Sequence, residues 1–448
     1  MLASLRFNPH RQLFFSTLTV LGLTLVAKLS GAFKEAVMAN NLGASALMDQ
    51  FVFAFMVATW PAAILSSVLT VALTPVLTKL QAAGSSNEKK RAQFMAQLCC
   101  AWTAFGTLLA LLSWLCFPHL SPVAQAAGPK LAAAVGLVSF IACMTALVGT
   151  VLTSQGRQIG ALLEGVPSLV LGGLMLSSLW SKADTLIYGM VLGMGLQLLW
   201  LLAAQARLQV SMSSQVRWAW PRPSAAWKEF FSGLGYVCAG YALMSAAAMI
   251  ELYVASHQGE GSLASMNYAS RVTALVTGLL ATAVNRVAIV HFCSKDALQS
   301  NDWQNWAGVA ATFTLTAALA TAVLMAFAPQ IVALLFERGQ FTAQDTEIVA
   351  RLLCWHISQL TPLLASVVLC AYLSAIAGFR TLFIACGLCF LAEMMTLMFG
   401  VNRWGLEAIA AAPMVGRVVM TGYLLFVLLR RRESQTWPVS VNTTTFPI

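Results

Sequence analysis

Some twelve apolar runs, joined by short polar connections, leave this chain little room to fold as anything but a polytopic helical membrane protein. A spanning helix needs about 20 mostly apolar residues, and runs of that kind fall at roughly 12–38, 49–79, 92–117, 129–153, 160–180, 185–205, 229–256, 262–292, 304–335, 347–377, 381–400 and 405–429. With 59% hydrophobic and 9% charged residues, too little polar chain remains for a sizeable soluble domain. The first run has features of a signal peptide, since Arg6 and Arg11 precede it and Ser30-Gly31-Ala32 follows. Lys28 interrupts it, however, and helix-like sequence continues to Asn40, so it reads as a span.

The basic residues orient the spans. With the N-terminus in the cytoplasm, the inside segments hold Arg6, Arg11, Lys79, Lys89, Lys90, Arg91, Arg157, Arg207, Arg217, Arg222, Lys228, Lys295, Arg380 and Arg430 to Arg432. The outside loops hold only Lys130, Lys182, Arg338 and Arg403. That asymmetry, with an even number of spans, places both termini in the cytoplasm. The formal charge of +10 is then mostly a topology signal plus attraction to anionic headgroups, and no nucleic-acid partner is expected.

The longest inside connection divides the spans six and six. The expected organisation is an N-terminal six-helix lobe over 1–205, a basic cytoplasmic linker over 206–228, a C-terminal six-helix lobe over 229–432 and a cytoplasmic tail over 433–448. A faint repeat crosses the midpoint: Gly43-Ala-Ser-Ala-Leu-Met-Asp49 returns loosely as Gly261-Ser-Leu-Ala-Ser-Met-Asn267. Glu35 precedes the first copy and Glu251 the second at nearly the same offset. Two repeats entering from the same side imply pseudo-symmetric lobes around a central cavity, with the site between them.

Six basic residues fall within the spans or close to their ends: Lys28, Lys34, Arg271, Arg286, Arg351 and Arg417. A cation in the hydrocarbon layer costs about 2.5–3.5 kcal/mol on insertion scales, so it marks function by default. Several cations with few acids nearby suggest an anion that comes and goes. Lys28 and Glu35 share one helix face with Gly31 between them, while Lys34 lies about 120° away. A bend at Gly31, or a wide cavity, would bring both lysines to one ligand. The bland alternative for Lys34 is a helix-end lysine that snorkels to the interface. Arg271 can grip phosphate oxygens through its planar fork, which suits a diphosphate, or it can form an internal salt bridge to Glu251. Arg286 divides between cavity and interface. Arg351 and Arg417 read as topology or packing residues.

Among the acids, Asp49 reads first as an N-cap of the second helix. Glu35, Glu164, Glu251 and Glu393 are open to roles as counter-ions, coupling-ion ligands or proton carriers, with Glu251 favoured by its place in the repeat. Cys386 and Cys389 have metal-pair spacing but lie mid-span without a second pair, so they read as packing residues. His291 and His356 lie on separate helices with no metal-ligand spacing around either, and there is no phosphate-cradling Gly-Lys loop or long outer loop, so neither an enzyme nor an ATP-driven pump is expected. No cofactor or metal is implied.

Three stretches together resemble the MurJ/MviN family of lipid II flippases in the multidrug/oligosaccharidyl-lipid/polysaccharide exporter superfamily. They are Lys28-Leu-Ser-Gly-Ala-Phe-Lys34-Glu35 with Gly43-Ala and Asp49-Gln-Phe51; Gly261-Ser-Leu with Asn267-Tyr-Ala-Ser-Arg271; and Glu337-Arg-Gly-Gln-Phe-Thr-Ala-Gln-Asp345-Thr. The resemblance covers about 1–430 and implies two six-helix lobes around a cationic cavity that alternates between inward and outward access. It also implies that Lys28, Lys34 and Arg271 bind a diphosphate in a bacterial inner-membrane protein coupled to sodium, protons or membrane potential.

Departures from the family pattern bear on substrate. Lysines stand at the first two basic positions, which keeps charge but loses the fork. Ala62-Ala-Ile-Leu-Ser-Ser follows Pro61 where a basic pair is usual, and Ser270 stands where an aspartate is usual. The two C-terminal helices typical of peptidoglycan flippases are not expected. The reading is therefore a flippase for a polyprenyl-diphosphate-linked saccharide, either lipid II or an exopolysaccharide or capsule repeat unit. Its partners are membrane lipids and cell-wall or polysaccharide synthesis proteins. The rivals are a drug/cation antiporter of the same superfamily and a non-transporting membrane subunit of a polysaccharide synthase.

Overall fold

Among the described residues helix is the only regular structure the apolar runs adopt, as a bilayer requires of a chain that must satisfy its own backbone. The computed structural model describes residues 9–82, 88–155, 157, 160, 163–177, 179–209, 224–232, 234–292, 303–375 and 379–433. The basic linker's centre (210–223) and the tail from 434 lie outside the described residues.

In chain order the helices are α1 (Pro9–Leu42), α2 (Ala46–Ala82), α3 (Glu88–Leu120), α4 (Pro122–Ala126), α5 (Gly128–Ser154), α6 (Val166–Ser177), α7 (Lys182–Gln209) and α8 (Ala225–Ser232). There follow α9 (Tyr236–Ala255), α10 (Ser262–Phe292), α11 (Trp303–Ala326), α12 (Ala328–Phe336), α13 (Ala343–Ser358), α14 (Leu360–Ala375), α15 (Phe379–Trp404) and α16 (Leu406–Glu433). Among the described residues, eight helices are long and apolar enough to cross a membrane, nine if α11 and α12 count as one bent span.

Two expected spans are interrupted close to prolines. The run over 304–335 breaks at Phe327 and bends by 64°, because Pro329 supplies no N–H to continue the ladder. Gln359 interrupts the next run between α13 and α14, with Pro362 inside the first turn of α14. Within the run placed at 160–180, the described residues include one helix of 12 residues, α6. In contrast, α1 passes through Gly31 as one helix of 34 residues.

The chain forms two compact units. The first comprises residues up to Leu275 together with Pro329–Leu352. Its inner core joins Leu73 and Leu77 of α2, Phe94, Leu98 and Trp102 of α3, Cys143 and Leu147 of α5, and Phe230 of α8. The Trp102 indole donates to the Cys143 carbonyl at 2.9 Å, so the ring is buried without an orphaned donor. Trp227 of α8 donates to Gln97 at 2.9 Å, and Lys79 pairs with Glu229 beside it.

The second unit comprises Val276–Ala328 and everything from Leu353. Here α15 and α16 pack through small residues, as membrane helices do when backbones approach closely. Ala385, Cys389, Ala408, Ala410 and Ala412 are buried, while Leu391, Met398, Phe399 and Phe426 are exposed. Such an exposed apolar girdle suits lipid contact.

Candidate functional site

Three loops of the first unit lock together, and each comes from one of the motifs singled out in the sequence. After α1, Gly43 turns the chain with φ 59°; before α10, Gly261 does so with φ 80°. A Cβ on Gly261 would lie 2.7 Å from the Ala44 carbonyl oxygen, so both the positive φ and the close approach require glycine. The loop between α12 and α13 joins them, with the Gln340 N–H donating to the Asn40 carbonyl at 3.0 Å. Tyr268 is fully buried between Phe336 and Phe341, and its hydroxyl donates to the Gly43 carbonyl at 3.1 Å.

The caps cross over. Asp49 sits inside the first turn of α2, yet its carboxylate accepts from the backbone N–H groups of Gly261 at 2.6 Å and Ala264 at 2.7 Å. It therefore caps α10, where the sequence had suggested its own helix. The reciprocal cap comes from Glu260, which accepts from the Ala46 N–H at 3.2 Å at the start of α2. Thr342 and Asp345 form a capping box at α13, with the Thr342 N–H donating to Asp345 at 2.8 Å and the Asp345 N–H to the Thr342 hydroxyl at 3.3 Å.

Deeper in the same unit lies the charged cluster. Gly172 of α6 lets that helix pack directly on Phe33 and the Lys34 backbone, since a Cβ there would lie 2.8 Å from the Phe33 ring. This turns Lys34 and Glu35 inward, where they are 6% and 1% exposed. Glu35 Oε1 lies 2.8 Å from Lys34 Nζ and 3.3 Å from Arg271 Nε. Asn267 holds the arrangement from α10: its amide donates to Glu35 Oε2 at 3.1 Å and accepts from Arg271 Nε at 3.2 Å. The Lys34 ammonium also lies 5.9 Å and 5.4 Å from the Phe51 and Phe55 ring centroids. Such contacts contribute about 0.5–2 kcal/mol apiece when desolvated.

Two cations thus share one carboxylate, leaving the cluster with a net single positive charge. Lys34 does not snorkel: α1 continues for two further turns and the side chain folds back on Glu35. Glu35 is a carboxylate bound to Arg271, whose side chain remains 40% exposed. Lys28 is half-buried, forms no salt bridge among the described residues, and has Glu164 as a charged neighbour. Glu251 is half-buried on α9. A Cβ on Gly31 would meet nothing within 4 Å, so packing does not demand glycine there. The Arg286 side chain lies outside the described residues.

Asn267, Phe51, Phe55 and Glu260 were not among the expected site residues. Asn267 and Phe51 lay within the quoted motifs, and Phe55 follows Phe51 at the i, i+4 spacing that marks one helix face. In the second unit, Glu393 is 3% exposed, takes a contact from the Cys389 thiol at 3.3 Å and has Arg417 as a charged neighbour. Gly416 leaves the room Glu393 occupies. Arg417 is half-buried and Arg351 exposed. Among the described residues no group of three potential ligands is placed to hold a metal ion.

An all-helical polytopic fold of this kind is that of the exporter superfamily to which multidrug transporters and lipid flippases belong. Solved structures agree: a lipid II flippase MurJ in an inward closed conformation gives a TM-score of 0.76 at 17% identity, covering 94% of this chain and 88% of that one. An inward-facing multidrug resistance MATE family transporter gives 0.69 at 13% identity, covering 94% and 98%. The family model for lipid II flippase MurJ matches residues 38–446, and the chain belongs to that family of non-enzymatic membrane transporters. A curated relative, lipid II flippase MurJ of Burkholderia cenocepacia, is 23% identical over 440 residues, covering 94% of this chain and 84% of the relative. Membership implies a lipid-linked precursor as substrate.

Proposed function

We propose that this chain moves a polyprenyl-diphosphate-linked saccharide from the inner to the outer leaflet of the bacterial inner membrane by alternating access. The observation that carries this reading is the sharing of Glu35 by Lys34 and Arg271, two cations on different helices that meet the same carboxylate. A diphosphate carries the charge to satisfy the surplus, and Arg271 has exposed surface to offer its oxygens. Lys28 would extend the cationic track along α1, about 9 Å from Lys34 at the helical rise. Binding must remain loose enough for release, which lysine at two of the three positions favours.

On this reading both termini are cytoplasmic, and the interlocked loops around Gly43, Gly261 and Gln340 lie on the outer side. Sealed there, the first unit would belong to a state closed to the outside. The two six-helix lobes would rock about the site, driven by sodium, protons or membrane potential. The saccharide is that of lipid II or of an exopolysaccharide or capsule repeat unit, supplied by the corresponding synthesis proteins.

Complementation tests it. In a strain depleted of its lipid II flippase, or one blocked in export of the cognate polymer, the wild-type chain should restore growth or polymer output. Lys28→Ala and Arg271→Ala should abolish rescue while the protein still inserts. Full rescue by either variant contradicts the reading. Efflux of a cationic dye would favour the drug/cation antiporter, and normal export without the cavity cations would favour a synthase subunit.

A further inference from the structure

Glu35 is held from three sides in the first unit. One oxygen meets both cations and the other takes the Asn267 amide, with the residue almost wholly buried. A buried ion pair of this kind seldom stabilises a fold more than well-packed apolar residues would, so stability alone is a weak account of it. The arrangement copies what a phosphate would offer: an anionic group whose oxygens face a lysine ammonium, a guanidinium and an amide donor.

We infer that Glu35 is an internal stand-in for the substrate's phosphates, occupying the Lys34–Arg271 pair when no lipid is bound and yielding it when the diphosphate arrives. The inference rests on the diphosphate reading and deepens it. Arg271, with its exposed surface, is the arm a phosphate meets first; Lys34, screened by Phe51 and Phe55, follows as Glu35 lets go. Two consequences result. The resting site is never a bare cationic pair, which would bind headgroup phosphates of ordinary lipids without discrimination. The exchange also loosens the tie between α1, which carries Glu35, and α10, which carries Asn267 and Arg271. Those same helices lead into the interlocked loops at Gly43 and Gly261, so site occupancy biases the seal.

The test measures binding of farnesyl diphosphate to the purified full-length protein in detergent, by calorimetry, with inorganic pyrophosphate as a second probe. Glu35→Gln keeps the shape and the amide contact but removes the competing charge. It should tighten binding by about ten- to hundredfold, the scale of a coupled-site free energy, while rescue in cells falls because release slows. Lys34→Gln should weaken binding, and the charge-balanced Lys34→Gln/Glu35→Gln pair should bind more tightly than Lys34→Gln alone. That comparison decides the matter if Glu35→Gln alone is too unstable to purify.

If Lys34→Gln and Arg271→Gln leave binding unchanged, the diphosphate reading itself fails. If those two weaken binding but Glu35→Gln and the double variant bind no more tightly than their parents, Glu35 is a structural counter-ion and the stand-in role is overturned.

Discussion

The carboxylate of Asp49, in α2, bonds the backbone N–H of Gly261 at 2.6 Å across the turn that opens α10. With Glu260 capping α2 in return at 3.2 Å, the two helix starts secure each other. The motif residues that looked like separate signals therefore belong to one interlocked end.

Asp49→Ala removes the acceptor for two backbone donors and should lower stability by about 1–3 kcal/mol, the range for a lost cap or an orphaned buried donor. Asp49→Asn keeps one oxygen and should cost less. Thermal unfolding of the detergent-solubilised protein, followed by loss of the monodisperse peak, ranks the two. Equal melting for both variants and the wild type would contradict the cross-capping account.

Tyr268→Phe deletes the hydroxyl that donates to the Gly43 carbonyl at 3.1 Å, leaving the ring between Phe336 and Phe341. The expected loss is about 1 kcal/mol of stability, read as a lower melting midpoint without loss of insertion. A tyrosine retained only for its ring would show no shift.

Two glycines should respond in opposite directions. Gly261→Ala meets the Ala44 carbonyl and a φ of 80°, so it should destabilise by more than about 1 kcal/mol. Gly31→Ala meets nothing and sits mid-helix, where alanine gains up to about 1 kcal/mol of helix propensity. If Gly31 is also a hinge, that stabilised variant should lose transport. Full transport with raised stability would remove the hinge role.

Replacing both Phe51 and Phe55 with leucine keeps apolar bulk but withdraws the ring faces from the Lys34 ammonium. About 1–2 kcal/mol should be lost, and it should be largely recovered when Lys34 is replaced by methionine in the same background. Melting midpoints of the single, double and combined variants form the cycle. Additive effects would show that the rings do not act on Lys34.

The helical membrane architecture was legible because apolar runs of the right length have few other solutions in lipid. The break at Phe327 was missed, although Pro329 signals it, because hydropathy continues across the bend. The charges were legible one helix at a time. Spacing along α1 places Lys28 and Glu35 on a common face and Lys34 off it, but a flexible lysine stem still brings Nζ to 2.8 Å from Glu35. Which acid meets Arg271 depends on the register between α1 and α10, which no local pattern encodes. Asp49 illustrates the same limit: its residue type announces a cap, and only the tertiary fold reveals that the helix capped is another one.

The most direct measurement is leaflet transfer in sealed proteoliposomes containing the purified chain and a labelled polyprenyl-diphosphate saccharide, with outer-leaflet label scored by an impermeant quencher. The account predicts rapid transfer by the wild type and background rates for a Lys34→Gln/Arg271→Gln variant reconstituted to the same density. Transfer by that variant at the wild-type rate would contradict the claim that this cation pair carries the phosphates across.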